Sequence, residues 1–438
     1  MEPTDKKYIV YIVMFFHGIA ALFAWNMLIN SDSYFVDYKL NVSNNSSETL
    51  KTYRKNFLSY LGIASKAPNI LFQFINMFLS SNYKSLSKRI WSTLLFQALV
   101  FIVITGLAFA DSSQWPEIFF WITMLLAFIV NIANGIFQCC VYGIAAKLPV
   151  QYTNAVTMGF NLSGVIAAIF LIISLSIAPT PKVSAVYFFS VAVIYLLLCF
   201  MNELFIRKNK FYTFYMTKNA QIGDQNIDIV MKTIASRDSN QNDSKQMDII
   251  ISDKHQQTLS GYQLYLHVFY QIWPQLLTII VIYFVTFSIF PSLQANIRPL
   301  NQLISDKYFV PVFCFLIFPL FKTIGNSLAE WLPKPSPKFL IVYSLLRLIF
   351  IPFFLFCNFF PNDRHLPVLI GNDILYILGA ILMSLTSGYL SSLAIMYCPM
   401  LVEPRYASIA GMMASFTILF GILLGLNFSL VYPIIINL

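Results

Sequence analysis

Amide side chains recur at helical spacing inside several long apolar runs of the sequence. One run carries polar residues separated by three, four and four positions, which lie on one face of a helix: Asn131, Asn134, Gln138 and Tyr142. Two nearby runs carry similar stripes, at Lys66, Asn69, Gln73 and Asn76 and at Thr157, Asn161 and Gly164. Because an amide both donates and accepts hydrogen bonds, three inward stripes favour a cavity for a neutral solute such as a base or a sugar. Hydrogen bonding between helices alone is the competing interpretation.

Several further side chains are unusual for their depth in an apolar run. Trp25 and Asn26 lie away from the interfacial belt where Trp is enriched, which suits either a stacking platform for a planar ligand or helix packing. Lys322 is near the middle of its run, where a charge costs roughly 2.5–3.5 kcal/mol on insertion scales, so it needs a partner or a cavity. His17 is isolated, and we expect a packed neutral imidazole rather than a proton relay.

The apolar runs that position these residues predict an all-α polytopic membrane protein. Apolar residues make up 58% of the 438 residues and charged residues only 11%, well below the charged share of a soluble chain. Each run is long enough to cross about 30 Å of hydrocarbon as a helix, and this length excludes the short alternating strands of a barrel. We expect eleven transmembrane helices, at residues 8–30, 57–79, 90–110, 118–144, 154–177, 184–206, 264–290, 308–331, 339–360, 373–397 and 407–433.

One long polar segment, residues 207–263, divides these spans into six and five. It is rich in Asn, Asp, Gln, Ser and Lys and is expected to be largely disordered. Carriers built from two helical bundles are often joined by such a linker, so we expect one bundle at 8–206 and another at 264–438. Lys and Arg are more frequent in the loops on the side of residues 1–7, which predicts a cytoplasmic N-terminus, a cytoplasmic 207–263 loop and an extracellular C-terminus.

The first outer loop, residues 31–56, carries overlapping sequons for N-glycosylation at Asn41, Asn44 and Asn45. Glycans are added on the lumenal or extracellular side, so glycosylation of this loop agrees with the orientation predicted from the basic residues. We expect a monomeric glycoprotein in the lipid bilayer of the plasma membrane.

Several function classes are disfavoured. A membrane enzyme needs clustered catalytic or metal-binding groups, but the histidines are far apart and we expect neither a metal nor a cofactor. The basic residues are spread among loops, so the net charge of +9 indicates topology rather than nucleic-acid binding. An organic-cation carrier would want an inward carboxylate, and we expect no Asp or Glu deep in a span. Eleven spans exclude a seven-span receptor.

Several segments together resemble the equilibrative nucleoside transporters. The first span has Ala24-Trp25-Asn26, similar to the family's Pro-Trp-Asn signature with alanine in place of proline. The fourth and fifth spans follow a Gln, Gly, Leu-Pro, Tyr-Thr and double-Gly pattern, here Gln138, Gly143, Leu148-Pro149, Tyr152-Thr153, Gly159 and Gly164. Later matches are Phe290-Pro291, Arg347 followed by Pro352, and Gly388-Tyr389-Leu390. The order and spacing of these matches carry the resemblance through most spans.

This resemblance implies a two-bundle carrier similar to the major facilitator architecture, which moves nucleosides or nucleobases down their gradient by alternating access. Matched by position, Leu22 and Trp25 would face the nucleoside and Gln138 would contact the base. The inward amides that join them as candidate binding residues are Asn131, Asn134 and Asn161. The residues expected to serve packing or gating are Asn26, Arg89, Gly159, Gly164, Arg347 and Pro352.

The eighth span departs from the family pattern. The resemblance implies an aspartate and, four residues later, an arginine that bind the ribose hydroxyls, but this chain has Lys322 and Asn326 there. A carboxylate accepts from two hydroxyls whereas a charged lysine only donates, so the ribose contact does not carry over. Lys322 and Asn326 remain candidate binding residues. The alternative function is transport of another small solute, such as a nucleobase or an anion, or no transport, and Arg89 lacks the acidic partner that the family would supply.

Overall fold

The computed structural model describes residues 3–31, 34–41, 48–55, 57–79, 83–177, 180–217, 262–300, 305–359 and 364–436. Within these residues the chain is helical, and the extended backbone forms a single isolated bridge between Ile297 and Phe359. This confirms the predicted all-α class. Residues 218–261 of the predicted 207–263 loop lie outside the described residues. The prediction of disorder is wrong for the beginning of this loop, because residues 210–217 are helical.

In the described residues up to Ile206, the N-terminal half contains seven α-helices. They are α1 (Ile9–Ile29), α2 (Glu48–Lys55), α3 (Phe57–Met77), α4 (Tyr83–Phe109), α5 (Pro116–Ala145), α6 (Val150–Ile177) and α7 (Pro181–Ile206). Proline occupies the first turn of α5 and α7, where its missing N–H is not needed. Asp5 accepts from the backbone N–H of Val10 and Tyr11, which satisfies two donors at the start of α1.

Among the described residues from Tyr262 onward, the C-terminal half contains eight α-helices, several of them short. They are α8 (Tyr262–Ile289), α9 (Asp306–Val310), α10 (Ile317–Trp331), α11 (Leu340–Leu346), α12 (Phe350–Leu355), α13 (Asp373–Met400), α14 (Ala407–Ser429) and α15 (Tyr432–Ile436). A π-helical turn at Pro311–Leu316 joins α9 to α10, and a 3-10 turn at Arg347–Ile349 joins α11 to α12. Pro352 has no N–H to donate to the carbonyl of Leu348, which accounts for the interruption of this helix.

Helices occupy all eleven of the predicted apolar runs. Among the described residues, nine stretches are long and apolar enough to cross a membrane by length and composition. The two other runs are α3, which carries the polar stripe that begins at Lys66, and the shorter stretch Leu340–Leu355. The structure therefore supports a polytopic membrane protein, and the count of eleven spans remains a prediction.

The two halves pair their long helices in the same way. In the N-terminal half the first predicted span packs on the fifth (α1 on α6) and the second on the fourth (α3 on α5). In the C-terminal half the same positions are paired, because α8 packs on α14 and α10 packs on α13. Contacts of α5 with α14 and of α6 with α10 then join the halves. The equivalent helix pairs are evidence of a repeated arrangement that the sequence itself does not reveal.

Glycine brings the backbones together at each of these four crossings. A Cβ at Gly159 of α6 would overlap the carbonyl oxygen of Phe15 in α1, and one at Gly135 of α5 would overlap that of Asn69 in α3. In the C-terminal half, Gly388 of α13 lies against the carbonyl of Lys322 in α10, and Gly425 of α14 against that of Phe284 in α8. Small residues at these positions allow the close packing that stabilises helix pairs in a membrane.

Candidate functional site

A chain of hydrogen-bonded amides fills the interior of the N-terminal half. The Nε2 of Gln138 donates to the backbone carbonyl of Ala21 at 2.6 Å, and the Nδ2 of Asn134 donates to the same oxygen at 3.0 Å. Gln73 of α3 donates to Oε1 of Gln138 at 2.8 Å. The hydroxyl of Ser415 in α14 donates to Oε1 of Gln73 at 3.3 Å, which extends the network into the C-terminal half. The stripes of α3 and α5 therefore meet each other and α1.

Other stripe residues have different partners. Asn131 donates to the carbonyl of Ala127 in its own helix at 2.8 Å, so its amide N–H does not reach across to another helix. The hydroxyls of Tyr142 and Thr157 lie 3.3 Å apart and join α5 to α6. Asn161 is buried, and its Nδ2 has no hydrogen-bond partner among the described residues. A buried amide donor left in this state is one that a ligand or water can satisfy.

Trp25 of α1 lies next to a cation. The Lys66 ammonium of α3 is 4.6 Å from the centroid of the Trp25 ring, a distance typical of a cation–π contact. Leu22, one turn earlier in α1, is half-buried like Trp25. Asn26 donates to the hydroxyl of Ser163 in α6 at 3.0 Å and so helps to hold α1 on α6.

Lys322 lies in the interior of the C-terminal half, on the buried face of α10. Its side chain is 1% exposed, and its ammonium lies 4.6 Å from the ring centroid of Tyr283, 5.6 Å from that of Phe287 and 5.5 Å from that of Phe318. Within the described residues, Lys322 forms no ion pair with a carboxylate. Three aromatic rings therefore take the place of an anion around this cation.

Asn326 follows Lys322 one turn later and is fully buried. Its side-chain Oδ1 and Nδ2 form no hydrogen bond with any residue that the structure describes. Its backbone carbonyl accepts from Nδ2 of Asn154 in α6 at 3.1 Å, so this part of α10 faces the N-terminal half. Asn326 thus offers both a donor and an acceptor close to the boundary between the two halves.

Most of the remaining predicted residues join neighbouring helices. Arg347 is buried and donates to the Thr286 hydroxyl at 3.0 Å and to the Met383 carbonyl at 3.1 Å, which ties α8 to α13. A Cβ at Gly164 would lie 3.0 Å from the side chain of Pro319, at the contact of α6 with α10. Pro352 is exposed on α12, and Arg89 donates to Oδ1 of Asn76 at 2.5 Å.

A contact between the halves near the beginning of α1 was not predicted from the sequence. Oε1 of Glu330, near the end of α10, accepts from the Tyr11 hydroxyl at 3.2 Å and from Nδ2 of Asn154 at 2.9 Å. Tyr11 and Asn154 belong to α1 and α6, whereas Glu330 belongs to the other half. Tyr11 and Glu330 are 319 positions apart, so no spacing rule could have indicated this pair.

The prediction that His17 is isolated is wrong, because a buried acid near the end of α7 lies beside it. Glu203 of α7 is fully buried, and its Oε2 lies 3.8 Å from Nε2 of His17. Its Oε1 accepts from the Ser87 hydroxyl and lies 3.7 Å from Nε of Arg207. The i, i+4 spacing of Glu203 and Arg207 was the available signal, and the cluster joins α1, α4 and α7.

Of the three sequon asparagines, Asn41 is among the described residues. It is exposed and lies two residues after the π-helical segment Tyr34–Lys39. Asn44 and Asn45 lie outside the described residues. The exposure of Asn41 is compatible with modification, and glycosylation stays a prediction.

Comparison with known proteins gives a family and a fold. Residues 122–434 match the family model described as "Nucleoside transporter". Equilibrative nucleoside transporter 3 of Rattus norvegicus is 27% identical over 97% of this chain and 88% of its own length. Equilibrative nucleoside transporter 1 of Homo sapiens is 26% identical over 99% of both chains.

Two solved structures share the fold at low sequence identity. A proton:xylose symporter of the major facilitator superfamily superposes with a TM-score of 0.63 at 10% identity, covering 99% of this chain and 90% of that one. A human organic anion transporter gives a TM-score of 0.56 at 13% identity, covering 99% and 96%. These similarities support the predicted major-facilitator-like fold.

Proposed function

The chain belongs to the nucleoside transporter family, and on that premise we propose that it carries nucleosides, nucleobases or both across a membrane by facilitated, alternating-access transport. The observation that carries the proposal is the family match over residues 122–434, in a chain whose interior presents neutral hydrogen-bonding groups. Membership of a family of transporters also confirms that the chain is a transporter and not an enzyme.

The proposed binding site lies between the amide network of the N-terminal half and the Lys322 region of the C-terminal half. Gln138 and Asn134 donate to the carbonyl of Ala21, and Oδ1 of Asn134, which has no partner among the described residues, is an acceptor of the kind that pairs with a base edge. Trp25 and Leu22 supply an apolar surface beside them, and Asn161 supplies a free amide donor. Asn131 has the weakest claim, because its N–H is satisfied within α5.

Lys322 and Asn326 are proposed to contact the solute from the other half. The ammonium and the Asn326 amide are both donors, so they suit carbonyl oxygens of a base better than the hydroxyl protons of ribose. Asn326 Oδ1 is the only acceptor of this pair, which leaves one acceptor where a carboxylate would provide two oxygens. This arrangement favours solutes recognised mainly through the base.

The alternating-access mechanism is supported by the contacts between the halves. Glu330 bridges Tyr11 and Asn154 across the boundary, and all three residues lie toward the end of their helices that the charge distribution assigns to the cytoplasm. These contacts hold that side closed, and their loss would let the halves separate there. Opening and closing by rocking of two bundles is the usual behaviour of such folds.

We propose that α3 and the stretch Leu340–Leu355 cross the membrane as well, which gives eleven spans in a six-plus-five division. The matching helix pairs in the two halves support this division. The N-terminus would then be cytoplasmic and the C-terminus extracellular, in a monomer of the plasma membrane. The basic residues of the loops and the exposed Asn41 support the orientation.

The test is radiolabelled uptake in transporter-deficient cells that express the full chain. The panel contains uridine, adenosine, hypoxanthine, adenine and an organic cation. Saturable uptake of at least one nucleoside or nucleobase, without uptake of the cation, is the expected result. Surface-expressed protein that moves none of the nucleosides and bases would overturn the proposal.

A further inference from the structure

A groove of about 890 Å³ opens on the outer surface of the C-terminal half, between α11–α12 and α13. Its walls are mostly apolar side chains that are exposed on the outside of the bundle, such as Phe339, Leu346, Ile349 and Leu382. Ligand sites in proteins are typically about 300–1,000 Å³. The groove is therefore large enough for a bound molecule, and it opens sideways rather than toward the central site.

The groove extends through about half the thickness of a bilayer. It begins at the loop residues Lys334, Pro335 and Ser336 and ends at Ile349 and Phe350. From Phe339 to Ile349 the helices advance by roughly 15 Å at about 1.5 Å per residue, which is half of a hydrocarbon core of about 30 Å. This length fits one acyl chain of a single leaflet.

The mouth of the groove is positively charged. Lys334 lines it, and Lys338 is exposed four residues later in the same loop. Among the described residues that line the groove, none is acidic. Two lysines beside an apolar slot complement a molecule with an anionic head and a hydrocarbon tail.

The loop at the mouth is held in place by α13. The Tyr389 hydroxyl donates to the carbonyls of Leu332, at 2.7 Å, and of Lys334. The Tyr397 hydroxyl lies within hydrogen-bond distance of the carbonyls of Pro333, at 3.2 Å, and Pro335, at 3.1 Å. The cationic mouth is thus fixed relative to the groove before anything binds, which lowers the ordering cost of binding.

Arg347 lies at the inner wall and has a different role. Its guanidinium donates to Thr286, Met383 and Ile282, so it joins helices and does not supply charge to the mouth. The lysines of the loop are therefore the groups that would recognise a headgroup. Anionic lipids are concentrated in the cytoplasmic leaflet, which is where the proposed orientation places this loop.

We propose that this groove is a binding site for an anionic phospholipid of the cytoplasmic leaflet, with one acyl chain between α11–α12 and α13 and the headgroup on Lys334 and Lys338. The site is separate from the central transport site, so it can exist whether or not nucleosides are the solute. Its occupant would bridge α11–α12 to α13, two elements that are expected to move together in the C-terminal half.

The experiment is native mass spectrometry of the purified full chain titrated with phosphatidylserine or phosphatidylcholine. We expect phosphatidylserine to bind more tightly to the wild type. The Lys334→Gln/Lys338→Gln variant should lose roughly 25-fold in affinity for phosphatidylserine, about fivefold for each lysine, with little change for phosphatidylcholine. The Leu382→Trp variant, which fills the groove from its exposed wall, should weaken binding of both lipids.

The matched control is Lys84→Gln/Lys88→Gln, which removes two exposed lysines from a cytoplasmic-side segment of the N-terminal half. Its affinity for phosphatidylserine should equal that of the wild type. Equal losses in the two lysine pairs, or equal binding of the two lipids to the wild type, would overturn the proposal. So would a wild-type dimer that Leu382→Trp converts to monomer without changing lipid binding, because a second copy would then cover the groove.

Discussion

The two halves contain equivalent helix crossings, but the polar side chains at these crossings differ. Gly135 of α5 packs against the carbonyl of Asn69 in α3, and Gly388 of α13 packs in the same way against the carbonyl of Lys322 in α10. In each half a second polar residue follows one turn later. In the N-terminal half this residue is Gln73, which bonds to Gln138, and in the C-terminal half it is Asn326, whose amide has no partner among the described residues.

The difference separates a structural role from a binding role. At the N-terminal crossing Gln73 and Gln138 bond to each other and to the Ala21 carbonyl, so these amides can form a fixed surface that the solute meets. The C-terminal crossing contains the Lys322 ammonium among aromatic rings and the Asn326 amide, which has no partner among the described residues. A polar solute would supply hydrogen bonds to both groups. Specificity is therefore expected to be more sensitive to changes in the C-terminal half, and the overall rate to changes in the N-terminal half.

Gln138→Leu should have the largest effect on transport. It removes one of the two donors to the Ala21 carbonyl and leaves the buried Gln73 amide without its acceptor at Gln138, and an unsatisfied buried group costs about 1–3 kcal/mol. We expect uptake to fall by roughly 100-fold, since about 1.4 kcal/mol corresponds to tenfold. Uptake is measured per molecule at the cell surface. Gln97→Leu is the control, because the Gln97 amide is buried in α4 without a partner among the described residues. Equal uptake by both variants would remove Gln138 from the transport path.

The double variant Lys322→Asp/Asn326→Arg should change the selectivity between nucleosides and bases, which tests the role assigned to the C-terminal half. It introduces a carboxylate acceptor for ribose hydroxyls, and a hydrogen bond to a charged group is worth about 1.5–3 kcal/mol. We expect the ratio of uridine to uracil uptake to rise by about tenfold. Lys322→Met, which removes the cation without adding an acceptor, should not raise this ratio. An unchanged ratio in the double variant would place Lys322 outside the solute path.

Glu330→Ala should produce a smaller, conformational effect. It removes the acceptor shared by Tyr11 and Asn154 and should favour opening on the cytoplasmic side by about fivefold, corresponding to about 1 kcal/mol. The measurement is maleimide labelling of a Ser327→Cys background in inside-out vesicles. Glu403→Ala is the control, since its ion pair with Arg405 at 2.6 Å lies within one half. Identical labelling rates in the two variants would argue against a bridge between the halves.

Asn41→Gln combined with Asn44→Gln and Asn45→Gln should leave uptake unchanged. If the loop at residues 31–56 is extracellular, the wild type loses mass on treatment with a glycosidase and the triple variant does not. A wild type that the enzyme does not shift in size would contradict the proposed glycosylation. This change tests the orientation of the N-terminal half without touching either crossing.

Most of the fold could be predicted from the sequence because a bilayer imposes a fixed length of apolar helix. Each predicted run contains a helix, and the bounds differ mainly where a helix extends beyond its apolar run, as α4 does by beginning at Tyr83. The breaks in the C-terminal half were harder to predict. Pro352 was visible, but the π-helical turn at Pro311–Leu316 depends on packing that a hydropathy profile does not contain.

The site could be predicted only in part, for a related reason. Helical spacing placed Asn134 and Gln138 on one face, but their shared acceptor is a backbone carbonyl at Ala21, which no side-chain pattern reveals. Lys322 stood out because a charge in an apolar run is costly, whereas its aromatic neighbours come from α8 and from its own helix. The Glu330 bridge depends on the approach of two separate halves and therefore required the structure.

The most direct test of nucleoside transport uses the purified chain in sealed liposomes. Liposomes preloaded with unlabelled uridine or hypoxanthine should accumulate the labelled compound transiently, because a carrier that exchanges solute moves label inward without an imposed ion gradient. Gln138→Leu liposomes should show little of this counterflow, and Gln97→Leu liposomes should match the wild type. No counterflow of any nucleoside or nucleobase by correctly folded wild-type protein would contradict the proposed function.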